Sequence, residues 1–100
     1  MNKREIVYQI TSEIPQGKVL TYSKLALLSG VTNPRLVGNY LHQNPDEEAI
    51  PCHRVVNMKG RLAPSFAFGG TGVQKARLER EGVEVVGDKV DLEQYLWRVV

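Results

Sequence analysis

The sequence predicts a mostly α domain with short strands. Three observations carry this expectation: apolar residues recur at helical spacing through the first half of the chain, proline and glycine cut it into short segments, and the β-prone stretches are all brief. The first helix is expected from Lys3 to Ile14, where Ile6, Val7, Ile10 and Ile14 share one face, and Pro15-Gln16-Gly17 ends it. Val19-Leu20 reads as a short strand. Thr21 is then a natural N-cap for a helix running to Leu28, with Gly30 just past its end. A further short helix is expected from Asn33 or Pro34 to Gln43, with Leu36, Val37, Tyr40 and Leu41 on its inner side. Two brief helices separated by Ser29-Gly30-Val31-Thr32 have the proportions of a helix-turn-helix, and equally those of many small helical domains.

Asn44-Pro45 stops that helix, because the residue before proline is biased away from helical geometry. Asp46-Glu47-Glu48 reads as a solvated loop. Val55-Val56, the turn-like Asn57-Met58-Lys59-Gly60 and Arg61-Leu62 suggest a short hairpin or return. Pro64 to Gly72 reads as a flexible loop bearing Phe66 and Phe68. A charged helix is expected from Gly72 to Glu81, stopped by Gly82. Val83-Glu84-Val85-Val86, a Gly87-Asp88 turn and a short segment through Tyr95 and Trp97 complete the chain, with no repeat, linker or low-complexity tract.

Composition narrows the class. One hundred residues suit a single compact domain, and 42% hydrophobic with 24% charged residues describe a globular protein with a modest core. A single cysteine excludes an internal disulfide and a cysteine-rich zinc site, so neither secretion nor a structural metal is suggested. The apolar runs are short and the first residues lack a signal-peptide pattern, so the expectation is a cytoplasmic protein, nucleoid-associated in a prokaryote, with no membrane partner. A net charge of +2 and a pI of about 8.8 permit nucleic-acid binding without arguing for it unaided.

The run that carries chemistry is Pro51-Cys52-His53-Arg54-Val55. A lone cysteine by itself reads as a small apolar filler, since free cysteine is among the most buried residue types. An imidazole and a guanidinium beside it, with a proline fixing the approach, are what would make one sulfur nucleophilic in a rigid pocket.

Ile50-Pro51-Cys52-His53-Arg54-Val55-Val56 resembles the active-site signature of the O6-alkylguanine-DNA alkyltransferases, and the likeness extends over most of the chain. Ile14-Pro15-x-Gly17-Lys18-Val19-x-Thr21-Tyr22, Arg35-x-Val37-Gly38, Asn44-Pro45 and Leu78-x-x-Glu81-Gly82 follow in the family's order. The resemblance implies a winged helix-turn-helix-like DNA-binding domain, as in the C-terminal domain of those proteins. It implies base flipping of O6-alkylguanine in double-stranded DNA and irreversible, single-turnover transfer of the alkyl group to Cys52. His53 would take the thiol proton through a water and Glu81 would orient His53. Asn44 would act at the hinge after the recognition helix, with Pro51 and Arg54 as structural supports. Arg35 would fill the vacated base stack, Tyr22 would rotate the nucleotide outward, and Gly38 would lie on the DNA-binding helix. Treating the cysteine run as extended, the adjacent Cys52 and His53 side chains point apart, which is why a water bridge is expected. No cofactor and no metal are implied, and one-to-one capture requires no dimer, so a monomer is expected.

Some positions depart from the family. Phe66 and Phe68 stand on the lesion-pocket loop where many members carry tyrosine or tryptophan, and Asn39 and Tyr40 stand where many use small residues toward the minor groove. The likeness covers the catalytic and DNA-binding domain, without the additional N-terminal domain of fuller members. The alkyltransferase-like proteins are the rival reading. They are single domains that bind O6-alkylguanine without repairing it and recruit nucleotide excision repair, and their tails are similar to Val90-Asp91-Leu92-x-x-Tyr95-x-Trp97. They usually replace the cysteine, which this chain retains. An ordinary helix-turn-helix regulator is a third class, which would prefer one DNA sequence over others.

Overall fold

Asn2 begins the fold by accepting a hydrogen bond from the Glu5 amide at 2.8 Å, which satisfies one of the free donors at the start of α1 (Lys3–Glu13). The computed structural model describes residues 1–64 and 66–98. Along α1, Val7 and Thr11 are buried, and the Thr11 hydroxyl donates to the Val7 carbonyl at 2.7 Å, so this polar side chain enters the core with its hydrogen bond made. Ile14 leaves helical geometry just before Pro15 and is itself buried.

After β1 (Leu20–Thr21), the Thr21 hydroxyl accepts from the Lys24 amide at 3.1 Å and caps α2 (Tyr22–Ser29), which ends at Gly30 in the left-handed region (φ 74°). Asn33 caps α3 (Pro34–His42), with proline in the first turn, where its missing N–H costs nothing. α1, α2 and α3 pack on one another, and Val7, Ile14, Leu25, Val37 and Leu41 fill the space between them. Leu36, expected inside, is 39% exposed. Val37 and Leu41, one turn apart, are buried and Tyr40 packs partly buried against the same core, while Leu36 lies on the neighbouring stripe.

The cysteine run also differs from expectation. Cys52–Arg54 is a single 3-10 turn rather than an extended segment, and only Val55–Val56 is strand (β2). β2 forms no hairpin with Arg61-Leu62. It pairs in parallel with β1, Leu20 opposite Val55 and Thr21 opposite Val56. The following turn closes by itself: the Asn57 amide donates to the Arg61 carbonyl at 3.0 Å, and the Asn57 side chain accepts from the amides of Lys59 and Arg61. Gly60 sits there at φ 84°, where a Cβ would collide with the Val90 carbonyl.

α4 (Gly70–Arg80) begins two residues earlier than expected. It is followed by a hairpin of β3 (Val85–Val86) and β4 (Lys89–Val90) turning at Gly87, and by the short α5 (Leu92–Tyr95) capped by Asp91. A second apolar cluster of Val19, Val56, Leu62, Leu78, Val83, Val85 and Val90 seats this hairpin against α4. The tail then runs beside Val19, whose amide donates to the Tyr95 carbonyl at 2.9 Å and whose carbonyl accepts from the Trp97 amide at 2.8 Å. The domain is thus mostly helical with short strands. Among the described residues, no helix is long and apolar enough to cross a membrane.

Candidate functional site

Asn44 sets the approach to the cysteine. Just past α3, its side-chain amide donates to the Ile50 carbonyl at 2.7 Å and its oxygen accepts from the Asp46 amide at 2.9 Å, closing the loop that delivers Pro51. Asn44 is itself buried, and so is Pro51. In the 3-10 turn that follows, three residues complete one revolution, so Cys52, His53 and Arg54 leave the backbone in three directions.

Cys52 is 5% exposed and faces a cavity of about 410 Å³ lined also by Tyr22, Gly38, Leu41, Ala63 and Phe66. His53 and Arg54 face the other way, into a second cavity of about 430 Å³ that Glu81 and Arg77 also line. A larger cavity of about 570 Å³ lies beside the β3–β4 hairpin, but neither cysteine nor histidine lines it.

Behind the thiol, Glu81 receives three hydrogen bonds. Arg54 donates through Nε to Oε1 at 2.9 Å and through Nη2 to Oε2 at 2.7 Å, while His53 Nε2 lies 3.0 Å from Oε2. The remaining Arg54 donor, Nη1, reaches the Ile14 carbonyl at 2.7 Å, tying this cluster to the end of α1. Burial would raise the Glu81 carboxyl, but the combined Arg54 and His53 hydrogen bonds and charges outweigh it and hold it below the ordinary value. An ionised Glu81 only accepts, so the network assigns the imidazole hydrogen to Nε2. Nδ1 then carries a lone pair; it is buried and has no protein partner among the described residues. Burial lowers the His53 pKa despite the nearby carboxylate, so the ring is neutral at physiological pH.

Burial pushes the Cys52 thiol up, opposed by the Asn44 side chain and the charge of Arg77. The thiol therefore rests protonated and needs a base to become a nucleophile. Tyr22, the first residue of α2, is pushed up to about 12 by burial and by the Cys52 charge, so its hydroxyl stays neutral at the cavity.

The other sequence-expected residues separate. Gly38 lies on the cavity, where an added Cβ would meet no protein atom within 4 Å, so packing does not demand glycine there. Arg35 is exposed in the first turn of α3, outside the cavity wall, with its backbone amide held by the Asn33 cap. Phe68 packs edge-on against Phe66, ring centroids 5.9 Å apart, rather than lining the cavity. Of the two larger residues on α3, only Asn39 reaches the cavity rim. The Tyr40 ring lies beneath the Arg4 guanidinium, 5.4 Å from its centroid, and the Tyr40 carbonyl accepts from the Tyr8 hydroxyl.

Sequence reasoning missed Gln74. Fully buried in α4, its Nε2 donates to the carbonyls of His53 and Val55, each at 3.1 Å, and its Oε1 accepts from the Ala63 amide at 2.8 Å. One amide thus pins the reactive turn, β2 and the start of the pocket loop. The available signal was a polar residue one helical turn before the buried Leu78, on the inward face of a charged helix.

Fold and cavity define a small helical domain whose one thiol opens onto a pocket beside its recognition-type helix, with an imidazole and a carboxylate behind it. The family described as "6-O-methylguanine DNA methyltransferase, DNA binding domain" matches residues 2–83, and the chain belongs to that family. Alkyltransferase-like protein 1 of Schizosaccharomyces pombe is 38% identical, the match spanning 92% of this chain and 91% of that protein. A methylated-DNA–protein-cysteine methyltransferase of Methanothermobacter thermautotrophicus is 41% identical over 81% of this chain, which spans 44% of that protein. In structure, the chain is similar to the S. pombe alkyltransferase-like protein in complex with damaged DNA containing O6-carboxymethylguanine, with a TM-score of 0.87, 35% identity and coverage of 97% of this chain and 95% of that one. It is also similar to the Mycobacterium tuberculosis methyltransferase in complex with DNA, with a TM-score of 0.73, 29% identity and coverage of 81% and 50%.

Proposed function

We propose that this protein flips O6-alkylguanine out of double-stranded DNA and takes the alkyl group onto Cys52 in a single, irreversible turnover. The observation that carries this reading is the sulfur on a cavity wall, with the free lone pair of a neutral His53 behind it and Glu81 fixing that tautomer.

In the proposed step, the thiol proton passes through a water to His53 Nδ1, and Glu81 stabilises the imidazolium that forms. The thiolate attacks the alkyl carbon. A carbon–sulfur bond forms as the carbon–O6 bond breaks, the electron pair stays on the base, and a proton returned to the purine yields guanine. The product is a thioether, and no neighbouring side chain offers a route to remove it.

The remaining roles extend from position. Tyr22, at the cavity, would press on the flanking backbone while the nucleotide rotates. Arg35, exposed at the start of α3, would occupy the gap left in the duplex, where its planar fork can stack and hydrogen-bond. Asn44 and Arg54 would act through the turn, as positioning residues. Nucleic-acid complexes among the structural relatives support the DNA-binding part of this reading.

A second reading, a lesion reader that binds O6-alkylguanine and hands it to nucleotide excision repair without transfer, is favoured by the near-complete overlap with the S. pombe alkyltransferase-like protein. Incubation with duplex DNA containing O6-methylguanine, followed by intact-protein mass measurement, separates the two. We expect one added methyl group, on Cys52, and unmodified guanine in the DNA. Tight lesion binding with no gain of mass would leave the reader. Equal affinity for lesion and intact duplexes would overturn both.

A further inference from the structure

Arg77 takes no part in the chemistry above, yet it touches both the aromatic wall of the Cys52 cavity and the loop that leads to the cysteine turn. From α4 its Nη2 donates to Glu47 Oε2 at 2.9 Å, and its Cζ stands 5.7 Å from the Phe66 ring centroid and 5.8 Å from that of Phe68. Glu47 belongs to the loop between Asn44 and the cysteine turn, and the Asp46 carboxylate stiffens that loop by accepting from the amides of Glu48 and Ala49. Phe66 is 7% exposed and forms part of the wall that faces Cys52. A single guanidinium therefore joins the post-recognition loop to the aromatic wall. Only a flat, delocalised cation can lie against two rings and still present a donor to a carboxylate.

We propose that Arg77, held by Glu47, is a specificity-determining positioning residue that fixes Phe66 against the cavity and so limits the size of the O6 substituent the pocket accepts. The inference rests on the O6-alkylguanine reading. Phe66 packs with the core and its carbonyl accepts from the Gly70 amide at 2.9 Å. The ring itself, however, has no polar group and its edge contact with Phe68 moves with the same loop, so the guanidinium is the directional contact that holds the ring from α4. The charges at either end also act on the sulfur in opposite senses, Arg77 lowering the Cys52 pKa and Glu47 raising it. That difference separates the mechanical role from an electrostatic one.

The test uses Arg77→Leu, Arg77→Lys and Glu47→Gln in the full chain. Equilibrium binding is measured in a Cys52→Ser background, which cannot consume the lesion and stands as wild type for the ratio, on three duplexes carrying guanine, O6-methylguanine or O6-benzylguanine. In the proteins that keep Cys52, its alkylation by iodoacetamide reports thiol reactivity. Arg77→Leu and Glu47→Gln should each shift the benzyl-to-methyl affinity ratio toward benzyl by about fivefold, the order of one lost aromatic–cation contact, with Arg77→Lys between them and wild type. Iodoacetamide reactivity should fall in Arg77→Leu and rise in Glu47→Gln. An unchanged ratio, or equal weakening on both lesions, overturns the inference, as does a ratio that follows thiol reactivity instead of release of the loop. Should Arg77→Leu fail to fold, Glu47→Gln alone decides the ratio. If wild type does not distinguish either lesion from guanine, the O6-alkylguanine reading fails and the inference with it; lesion discrimination with an unchanged ratio removes the inference only.

Discussion

Two cavities of nearly equal size, about 410 and 430 Å³, lie on either side of one turn of backbone and have opposite characters. The first offers Cys52, Tyr22 and mostly apolar walls. The second offers His53, Arg54, Glu81 and a further rim of charges. Residues one position apart thus occupy different media, because three residues per revolution point them apart. Burial on the apolar side raises the thiol pKa and would shelter a purine, while the charged side stores the base that can deprotonate that thiol. Placing both functions on the same face would hydrate the nucleophile or bury the charges.

The comparison breaks most completely at the sulfur. Cys52→Ser should abolish mass gain on incubation with O6-methylguanine DNA and retain lesion binding, because the hydroxyl keeps the cavity's shape. Failure of this protein to fold, read by circular dichroism, would instead assign Cys52 to packing.

Next is the charged side. Glu81→Ala leaves Arg54 and His53 without their shared acceptor, and removing one partner from a largely buried ion pair costs about 3 kcal/mol. A large fall in melting temperature together with loss of transfer is expected; an unchanged melting temperature would show that the cluster contributes no stability.

Proton linkage sharpens the contrast further. His53 is depressed below its ordinary value near 6.5, so as pH falls the unfolded chain takes up its proton first, and stability declines from about pH 6.5 downward. Cys52 is raised, so the unfolded chain ionises first and stability declines above about pH 9. Transfer should therefore hold at pH 6.5 and fall only below it, where His53 charges. Denaturant titrations and transfer rates across pH check both limbs, and a transfer midpoint above 6.5 would contradict a neutral His53.

The smallest effect is expected at Gly38. A Cβ there meets open space, so Gly38→Ala should stabilise the helix by about 1 kcal/mol while crowding the cavity rim and weakening lesion binding. Stabilisation without loss of affinity would leave the glycine unexplained by DNA.

Much of this architecture was legible in the chain, wherever the signal was local. The Thr21 cap, the left-handed Gly30, the stop at Asn44-Pro45 and the Gly87 hairpin all act within a few residues of where they are read. The parallel pairing of Leu20 with Val55 was not, because it joins distant segments and needs no turn residue to announce it. The 3-10 geometry of Cys52–Arg54 depends on Asn44 bonding Ile50, a contact no periodicity encodes. Leu36 misled because one step along a helix rotates a side chain by a quarter turn or more, enough to leave the core. At the site, the cysteine run pointed to Cys52, His53 and Arg54, and Leu78-x-x-Glu81-Gly82 to Glu81, by resemblance to a family pattern. Gln74 and Arg77 escaped because their partners are backbone carbonyls, rings and a loop carboxylate gathered only in three dimensions.

The strand that leads into Tyr22 leans on the far end of the chain. Val19 exchanges backbone hydrogen bonds with Tyr95 and Trp97, which lie beyond the stretch matched to the family. A version cut after Val83 would keep every matched position and yet strip Val19 of both partners, loosening the entry to α2. Where to trim this protein, or hang a tag on it, is thus decided by hydrogen-bond geometry more than by where homology stops.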